Sequence, residues 1–389
     1  MNAILAGALD GAKKSETWYH RKTRFARLHD QDQLQTAITV SALLSLTPQR
    51  ILIVLLGAIG DVTRALPLLT GLRRAYPHAS ITWAIEPVAA PLLDYHPALN
   101  EILLYPRTQG PRAFLPFLHE IRRRHFDLVL DLQRHFKSGL ISFWSGAAVR
   151  LGFHRSNTKE GNWLFNSHTI EAVPDFSLKL NQYLKFAEAL GLPDDGVSFD
   201  LRLRAEEEQR VEILLSGTPR PFAVFFLGSR WPSRFWFPEA TAEVARTLHQ
   251  EYGMGIVLVG GPSETIFAQQ VSKATAGVVT NLSGQTTLRD LIGIFSRARL
   301  AMGPDSGPMH IAAATGVPVI SLWGATSPVR SAPWGSEAFV LRGEAACSPC
   351  YTRHCPIGRL CMQRITPGQV IAMVRKIFER PEEVSGIGG

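Results

Sequence analysis

GPDSGPMHIAAATGVPVISLWGATSP, residues 303 to 328, decides how this chain is read. Its order is loop, helix, strand: Gly307 opens a helix, His310 to Thr315 continue it, Gly316 ends it, and Val317 to Trp323 form a buried strand. Asp305 and Ser306 are expected to cap that helix. A helix start at a strand end presents free backbone N–H groups and the positive end of the macrodipole, a ready site for a diphosphate, with His310 one turn in. An ordinary capped helix of an α/β protein reads the same way, so the rest of the chain has to arbitrate.

Working outward, short apolar strands alternate with amphipathic helices from Arg50 onward. Strands are expected at Ile51 to Leu56, Ser80 to Ile85, Ile102 to Tyr105 and Leu128 to Leu132, with helices at Val62 to Tyr76 and Phe114 to His125. A second series places strands at Phe222 to Phe226, Ile256 to Val259, Val278 to Asn281 and Leu300 to Met302. Between them lie a helix, Lys179 to Leu190, and the turn-rich LGLPDDGVSFD at 190–200. This rhythm predicts an α/β protein of two Rossmann-like halves, each a doubly wound parallel sheet, facing across a cleft at their carboxyl ends. The expected division is a basic extension 1–48, a first domain 49–200, a second domain 201–375 and a tail 376–389.

A chain of 389 residues exceeds one ordinary core. Its 41 Lys and Arg against 33 Asp and Glu favour anionic partners such as phosphates, acidic sugars or a membrane surface. No run approaches the about 20 apolar residues of a membrane span. The opening MNAILAGALDGAKK reverses the order of a secretory signal, so a cytoplasmic protein is expected. Between Lys13 and Arg27 the only acid is Glu16, and Trp18, Tyr19 and Phe25 interleave with the bases. That segment reads as a solvated, partly helical arm or as one lying on an anionic membrane.

The first half carries ILIVLLGAIGDVTRALP at 51–67, a strand, a glycine turn and a helix with Asp61 in its first turn. Asp61 reads either as a helix-stabilising acid or as a cleft carboxylate available as a general base. Neither the dinucleotide fingerprint G-x-G-x-x-G nor the Walker motif is present, which disfavours an NAD-dependent oxidoreductase. Arg107, Arg112, Arg122, Arg123, Arg124, Arg134, Lys137, Arg150 and Arg155 crowd one segment. Its loop members, Gln133 to Lys137 and Arg150 to Arg155, are placed to meet an anionic acceptor.

In the second half LGSRWPSRFW at 227–236 follows a strand, and Ser229 with Arg234 is expected to hold a leaving diphosphate. VLVGGPSE at 257–264 sets Glu264 to accept from ribose hydroxyls, or to serve only as a first-turn helix acid. LSGQTTL at 282–288 resembles the loop that covers a base in nucleotide-sugar enzymes. All four cysteines fall in one window, Cys347, Cys350, Cys355 and Cys361. Their clustering admits a structural zinc, two local disulfides or four reduced thiols.

Three motifs in order resemble the ADP-heptose:lipopolysaccharide heptosyltransferases, glycosyltransferase family 9, over about residues 50 to 375. They are Gly60-Asp61 with Pro67; Gly260-Gly261 with Glu264; and Asp305-Ser306-Gly307 with His310, Ala312 to Ala314, Gly316, Pro318, Gly324, Thr326 and Pro328. Asp131-Leu132-Gln133 and Gly152-Phe153 add weaker matches. The resemblance implies the GT-B fold and inverting, metal-independent transfer of a heptose from ADP-heptose to the lipopolysaccharide inner core. It casts Asp61 as base. Ser229, Arg234, Glu264, Asp305, Ser306, Gly307, His310 and Thr326 would bind the donor. Gly60, Arg64, Gln133, Arg134, Lys137 and Arg155 would bind a Kdo-lipid A or phosphorylated core acceptor at the cytoplasmic face of the inner membrane, with no nucleic-acid partner. Arg234 stands where the family usually has lysine, and the cysteine window resembles a C-terminal pattern that some members carry. The readings left beside it are a related transferase with another nucleotide-sugar donor and a non-catalytic nucleotide-sugar or glycan-binding module.

Overall fold

The computed structural model describes residues 43–379. Residues 1–42 of the expected extension, with the aromatic and basic residues singled out there, lie outside the described residues, as does the end of the expected tail.

Two six-stranded sheets of wholly parallel strands organise the described chain. The first contains β1 (Arg50–Val54), β2 (Ser80–Ile85), β3 (Glu101–Leu104), β4 (Leu128–Asp131), β5 (Val149–Gly152) and β6 (His168–Thr169), in the order β3-β2-β1-β4-β5-β6. The second contains β7 (Phe222–Phe226), β8 (Gly255–Val259), β9 (Val279–Asn281), β10 (Leu300–Pro304), β11 (Val319–Trp323) and β12 (Val340–Arg342), in the order β12-β11-β10-β7-β8-β9. Read from its β9 edge, the second sheet repeats the winding of the first, so each half has a switch point where the strand order reverses, between β1 and β4 and between β7 and β10.

Central strands are apolar on both faces because helices cover both. Ile51 to Val54 in β1, Ile81 and Trp83 to Ile85 in β2, and Ile256 to Val259 in β8 are all fully buried. The covering helices of the first half are α1 (Ile59–Ala75), α2 (Pro111–Arg122), α3 (Phe136–Trp144) and α4 (Lys179–Ala189). Those of the second are α5 (Ala205–Leu214), α6 (Pro238–Tyr252), α7 (Thr265–Ala274), α8 (Leu288–Ser296), α9 (Gly307–Ala314), α10 (Leu360–Gln363) and α11 (Pro367–Glu379). α11 carries residues 376–379, which the sequence reading assigns to the tail; Ile377 is buried and holds that turn on the second core. No helix among the described residues is long and apolar enough to cross a membrane.

α1 begins at Ile59, three residues before the expected Val62, since Gly60 enters the helix rather than the turn. Gly316, at φ +81°, follows the end of α9 as expected, in a left-handed conformation that glycine adopts without a Cβ penalty. The expected cap at the other end of α9 does not form. Ser306 is the N-cap residue, but its side chain makes no capping bond.

Candidate active site

The loops leaving β1 and β10 bring the starts of α1 and α9 together, and two glycines let them touch. A Cβ on Gly60 would lie 2.6 Å from His310 Cδ2, and one on Gly307 would lie 2.8 Å from Ile59 Cβ. Gly60→Ala and Gly307→Ala are therefore each expected to part the helix starts and lower kcat by about a hundredfold, the cost of a misplacement of about 1 Å. Gly71→Ala, in the same helix where a Cβ meets nothing, is expected to leave kcat unchanged and add about 1 kcal/mol of stability. Steady-state kinetics and denaturant unfolding of the three variants test this.

A cavity of about 980 Å³ opens along that junction. Of the residues singled out from sequence, Gly60, Asp61, Arg64, Gln133, Ser229, Arg234, Glu264, Asp305, Ser306, Gly307 and His310 line it. Arg134, Lys137, Arg155 and Thr326 do not appear in its lining. Arg134 stacks 3.7 Å over the Phe153 ring and donates to Gln182, while Lys137 sits 4.5 Å over the Tyr105 ring. Arg155 is exposed in a short helical turn.

On the first-half wall, Asp61 Oδ1 accepts from Arg64 Nη2 at 2.5 Å and from Lys179 Nζ at 2.7 Å. Burial alone would raise the Asp61 carboxyl, but the Lys179 ammonium and then the Arg64 guanidinium hold it well below the usual carboxylate range. Both cations meet the same oxygen. Among the described residues no side-chain hydrogen bond to Oδ2 is formed. Lys179 comes from the first turn of α4, whose Lys179 N–H donates to the Arg330 carbonyl of the second half. Nothing in the sequence points to Lys179: it lies 118 residues from Asp61, and only the fold joins them.

Arg64 also donates through Nη1 to His310 Nε2 at 2.6 Å. Arginine has no acceptor, so this imidazole nitrogen must carry its lone pair. Burial first, and the Arg64 charge second, hold His310 well below its ordinary value of 6.5, and it stays neutral. The unfolded chain protonates it near pH 6.5 and the folded one does not. The stability His310 contributes is thus fully present above that pH and falls as pH drops below it, by at most about 1.4 kcal/mol per pH unit. Denaturant unfolding of native protein and His310→Gln across this range is expected to show that extra slope only in the native chain.

On the second-half wall, Asp305 is held from three sides. Arg234 Nη1 lies 2.9 Å from its Oδ2, Thr326 Oγ1 donates to the same oxygen at 2.7 Å, and Ser229 Oγ donates to its carbonyl at 2.8 Å. Thr326 thus acts through Asp305 rather than at the cavity surface. The Arg234 guanidinium rests 4.3 Å over the Trp231 ring. Glu264 accepts from Gly261 N at 2.7 Å and Ser263 Oγ at 2.6 Å, which fixes it at the end of β8. Thr286 to Leu288, from the expected base-covering loop, also line the cavity.

Arg64 Nε, Arg234 Nε and Ser306 Oγ are buried here with no hydrogen-bond partner. Buried polar groups are ordinarily paired; these three lie on residues that line the cavity, and six other unpaired atoms among the described residues lie on residues outside its lining. Ser306 does not cap α9, so the free N–H groups of the helix start keep no side-chain partner there, and Ser306 and Gly307 line the cavity.

The cysteine window contains free thiols: Cys347 and Cys350 are exposed, Cys355 is half-buried and Cys361 is buried. Among the described residues no group of three or more His, Cys, Asp or Glu is arranged to hold a metal ion. Backbone ties order the segment instead, with Tyr351 N donating to Ala325 O and Ser233 N to Arg353 O, which braces the Arg234 loop.

Two doubly wound halves with charged residues of both signs lining a cavity at their strand ends have the architecture of a GT-B glycosyltransferase. Residues 115–360 match glycosyltransferase family 9 (heptosyltransferase), and the chain belongs to that family. It is 27% identical over 291 residues to the lipopolysaccharide core heptosyltransferase OpsX of Haemophilus influenzae, covering 74% of this chain and 83% of that one. It is 24% identical to lipopolysaccharide heptosyltransferase 1 of Pseudomonas aeruginosa, over 86% of this chain and 99% of that one. The fold matches a family 9 glycosyltransferase from Veillonella parvula at a TM-score of 0.72 and 22% identity, covering 85% and 97% of the two chains. It also matches an Escherichia coli heptosyltransferase solved with ADP-2-deoxy-2-fluoro heptose at a TM-score of 0.67 and 21% identity, covering 84% and 99%.

Proposed function

We propose that this glycosyltransferase moves a heptose from ADP-heptose onto a sugar hydroxyl of the lipopolysaccharide inner core, with inversion and without a catalytic metal. The observation that carries this reading is the single cavity that sets Asp61 and Arg64 of the first half against Arg234, Ser306 and His310 of the second. The second half, 201–375, takes the donor. Its α9 start, Ser306, Arg234 and neutral His310 meet the diphosphate, Asp305 grips heptose hydroxyls, and Glu264 accepts from the ribose.

The first half, 49–200, takes the acceptor. Asp61 Oδ2 accepts the proton of the attacking hydroxyl as the new glycosidic bond forms and the bond to the diphosphate breaks. Charge then grows on the departing ADP, where Arg234 and the α9 N–H groups stabilise it. Gly60, Arg64 and Gln133 line the acceptor side. Arg134, Lys137 and Arg155 serve a phosphorylated, Kdo-bearing acceptor from outside the cavity, at the cytoplasmic face of the inner membrane. The two relatives matched at high coverage, both lipopolysaccharide heptosyltransferases, support this donor and acceptor class.

The test is purified protein with ADP-heptose and Kdo-lipid A in excess chelator, followed by mass spectrometry of the lipid. One added heptose is expected. An unchanged acceptor, or addition only with a different nucleotide sugar, would sink the reading.

A further inference from the structure

We propose that the surface formed by α2, α3 and the turn after β5 at 162–165 docks the protein onto an anionic lipid bilayer. The proposal rests on the lipid-borne acceptor argued above and adds to it which face meets the membrane.

Large apolar side chains are exposed there in number. Phe136, Phe143 and Trp144 follow the i, i+7, i+8 spacing of one stripe of α3, and Phe143 is 53% exposed. Leu115 stands out from α2, and Trp163 and Leu164 from the turn, Leu164 at 67%. The surface is continuous. The Trp144 ring lies 6.3 Å from that of His119 on α2, and the rings of Phe136 and Phe143 lie 5.1 and 6.1 Å from Phe165 in the turn. Exposed aromatic and leucine side chains grouped this way have no reason to face water, and Trp in particular suits the boundary between hydrocarbon and headgroup.

Charge selects the partner. Arg122, Arg123, Lys137 and Lys159 are exposed around the apolar stripe, and the Arg150 guanidinium sits 5.7 Å over the Phe143 ring. Of the nearby carboxylates, Glu120 is paired with Arg124 at 2.6 Å, and Glu160 accepts hydrogen bonds from His135 Nδ1 at 3.3 Å and Phe136 N at 3.2 Å. A basic rim around an apolar centre complements a surface with negative headgroups over hydrocarbon. Position agrees as well. α3 starts three residues after Gln133, which lines the cavity, so the first turn of this face lies close in the chain to the cleft wall. A sugar acceptor whose lipid stays in the bilayer can enter the cavity only if the membrane lies close to its mouth.

The experiment is co-sedimentation of the full chain with vesicles of phosphatidylethanolamine and phosphatidylglycerol, about three parts to one, against phosphatidylcholine alone. Native protein is expected to pellet with the anionic vesicles, and to be released as salt rises from about 0.05 to about 0.5 M. The double variant Phe143→Glu with Trp144→Glu, and independently Leu164→Glu, are expected to lower the bound fraction by at least about fivefold. Both should keep the native melting temperature and full turnover of a delipidated, soluble acceptor. Leu164 lies on a surface turn, so it remains a test if the double variant does not fold. Native-level vesicle binding by the folded variants would overturn the proposal. So would a native protein that ignores anionic vesicles but self-associates through this face, with the variants monomeric. Loss of turnover on the soluble acceptor by native protein would instead count against the proposed function, since vesicle binding is read separately.

Discussion

Asp61→Asn is expected to lower kcat by about a hundredfold to ten-thousandfold, the range a positioned general base supplies, with donor binding little changed. The amide keeps the shape and the Arg64 contact but has no anionic oxygen to take a proton. The native arrangement also keeps the carboxylate charged. Arg64 and Lys179 both occupy Oδ1, which fixes the carboxylate plane and keeps it ionised at every working pH, while Oδ2 is left open. The same pairing weakens Asp61 as a base. Withdrawing one cation should therefore show in the pH profile: in Lys179→Met the acidic limb of kcat/KM is expected to move to higher pH, because the carboxyl rises toward its ordinary value. A limb that stays where the native enzyme has it would mean that another group sets the profile.

Arg234→Ala is expected to lower kcat/KM for the donor by about a hundredfold to a thousandfold, the effect of removing one preorganised charge from a departing diphosphate. Three contacts fix the guanidinium: the Asp305 carboxylate, the Asp305 carbonyl at 3.3 Å and the Trp231 face. Nε has no partner and is buried, so the side chain is positioned with a donor to spare. Arg234→Lys is expected to recover part of the loss, since it restores charge but not the fork or the stacking. Equal activity in all three proteins would remove Arg234 from the donor site.

Strand runs such as Ile51 to Val54 and Ile256 to Val259 are legible because burial on both faces leaves an unbroken apolar sequence. The shortest outer strands are not. β3 and β9 at two sheet edges are still read from the sequence, but β5 (VRLG), inside the first sheet, and the edge strands β6 (HT) and β12 (VLR) are short and partly exposed, so neither alternation nor an apolar run marks them. Asp61, Asp305 and His310 stand out because each sits near a glycine at a strand end. Lys179 does not, since a lysine opening a helix carries no signal until the fold sets it against Asp61. Ser306 shows the opposite error. Its sequence position is that of a capping residue, yet its hydroxyl is buried without a partner and makes no capping bond.

A single reaction read for product structure tests the role of Asp61 most sharply: native enzyme with ADP-heptose and a soluble inner-core acceptor, the product's anomeric centre assigned by proton NMR. Direct displacement with Asp61 as base predicts one ADP released per heptose transferred and an anomeric configuration opposite to that of the donor, with product from Asp61→Asn formed at least about a hundredfold more slowly. Retention of configuration, or product formed at the native rate by Asp61→Asn, would contradict a single-displacement attack through Asp61.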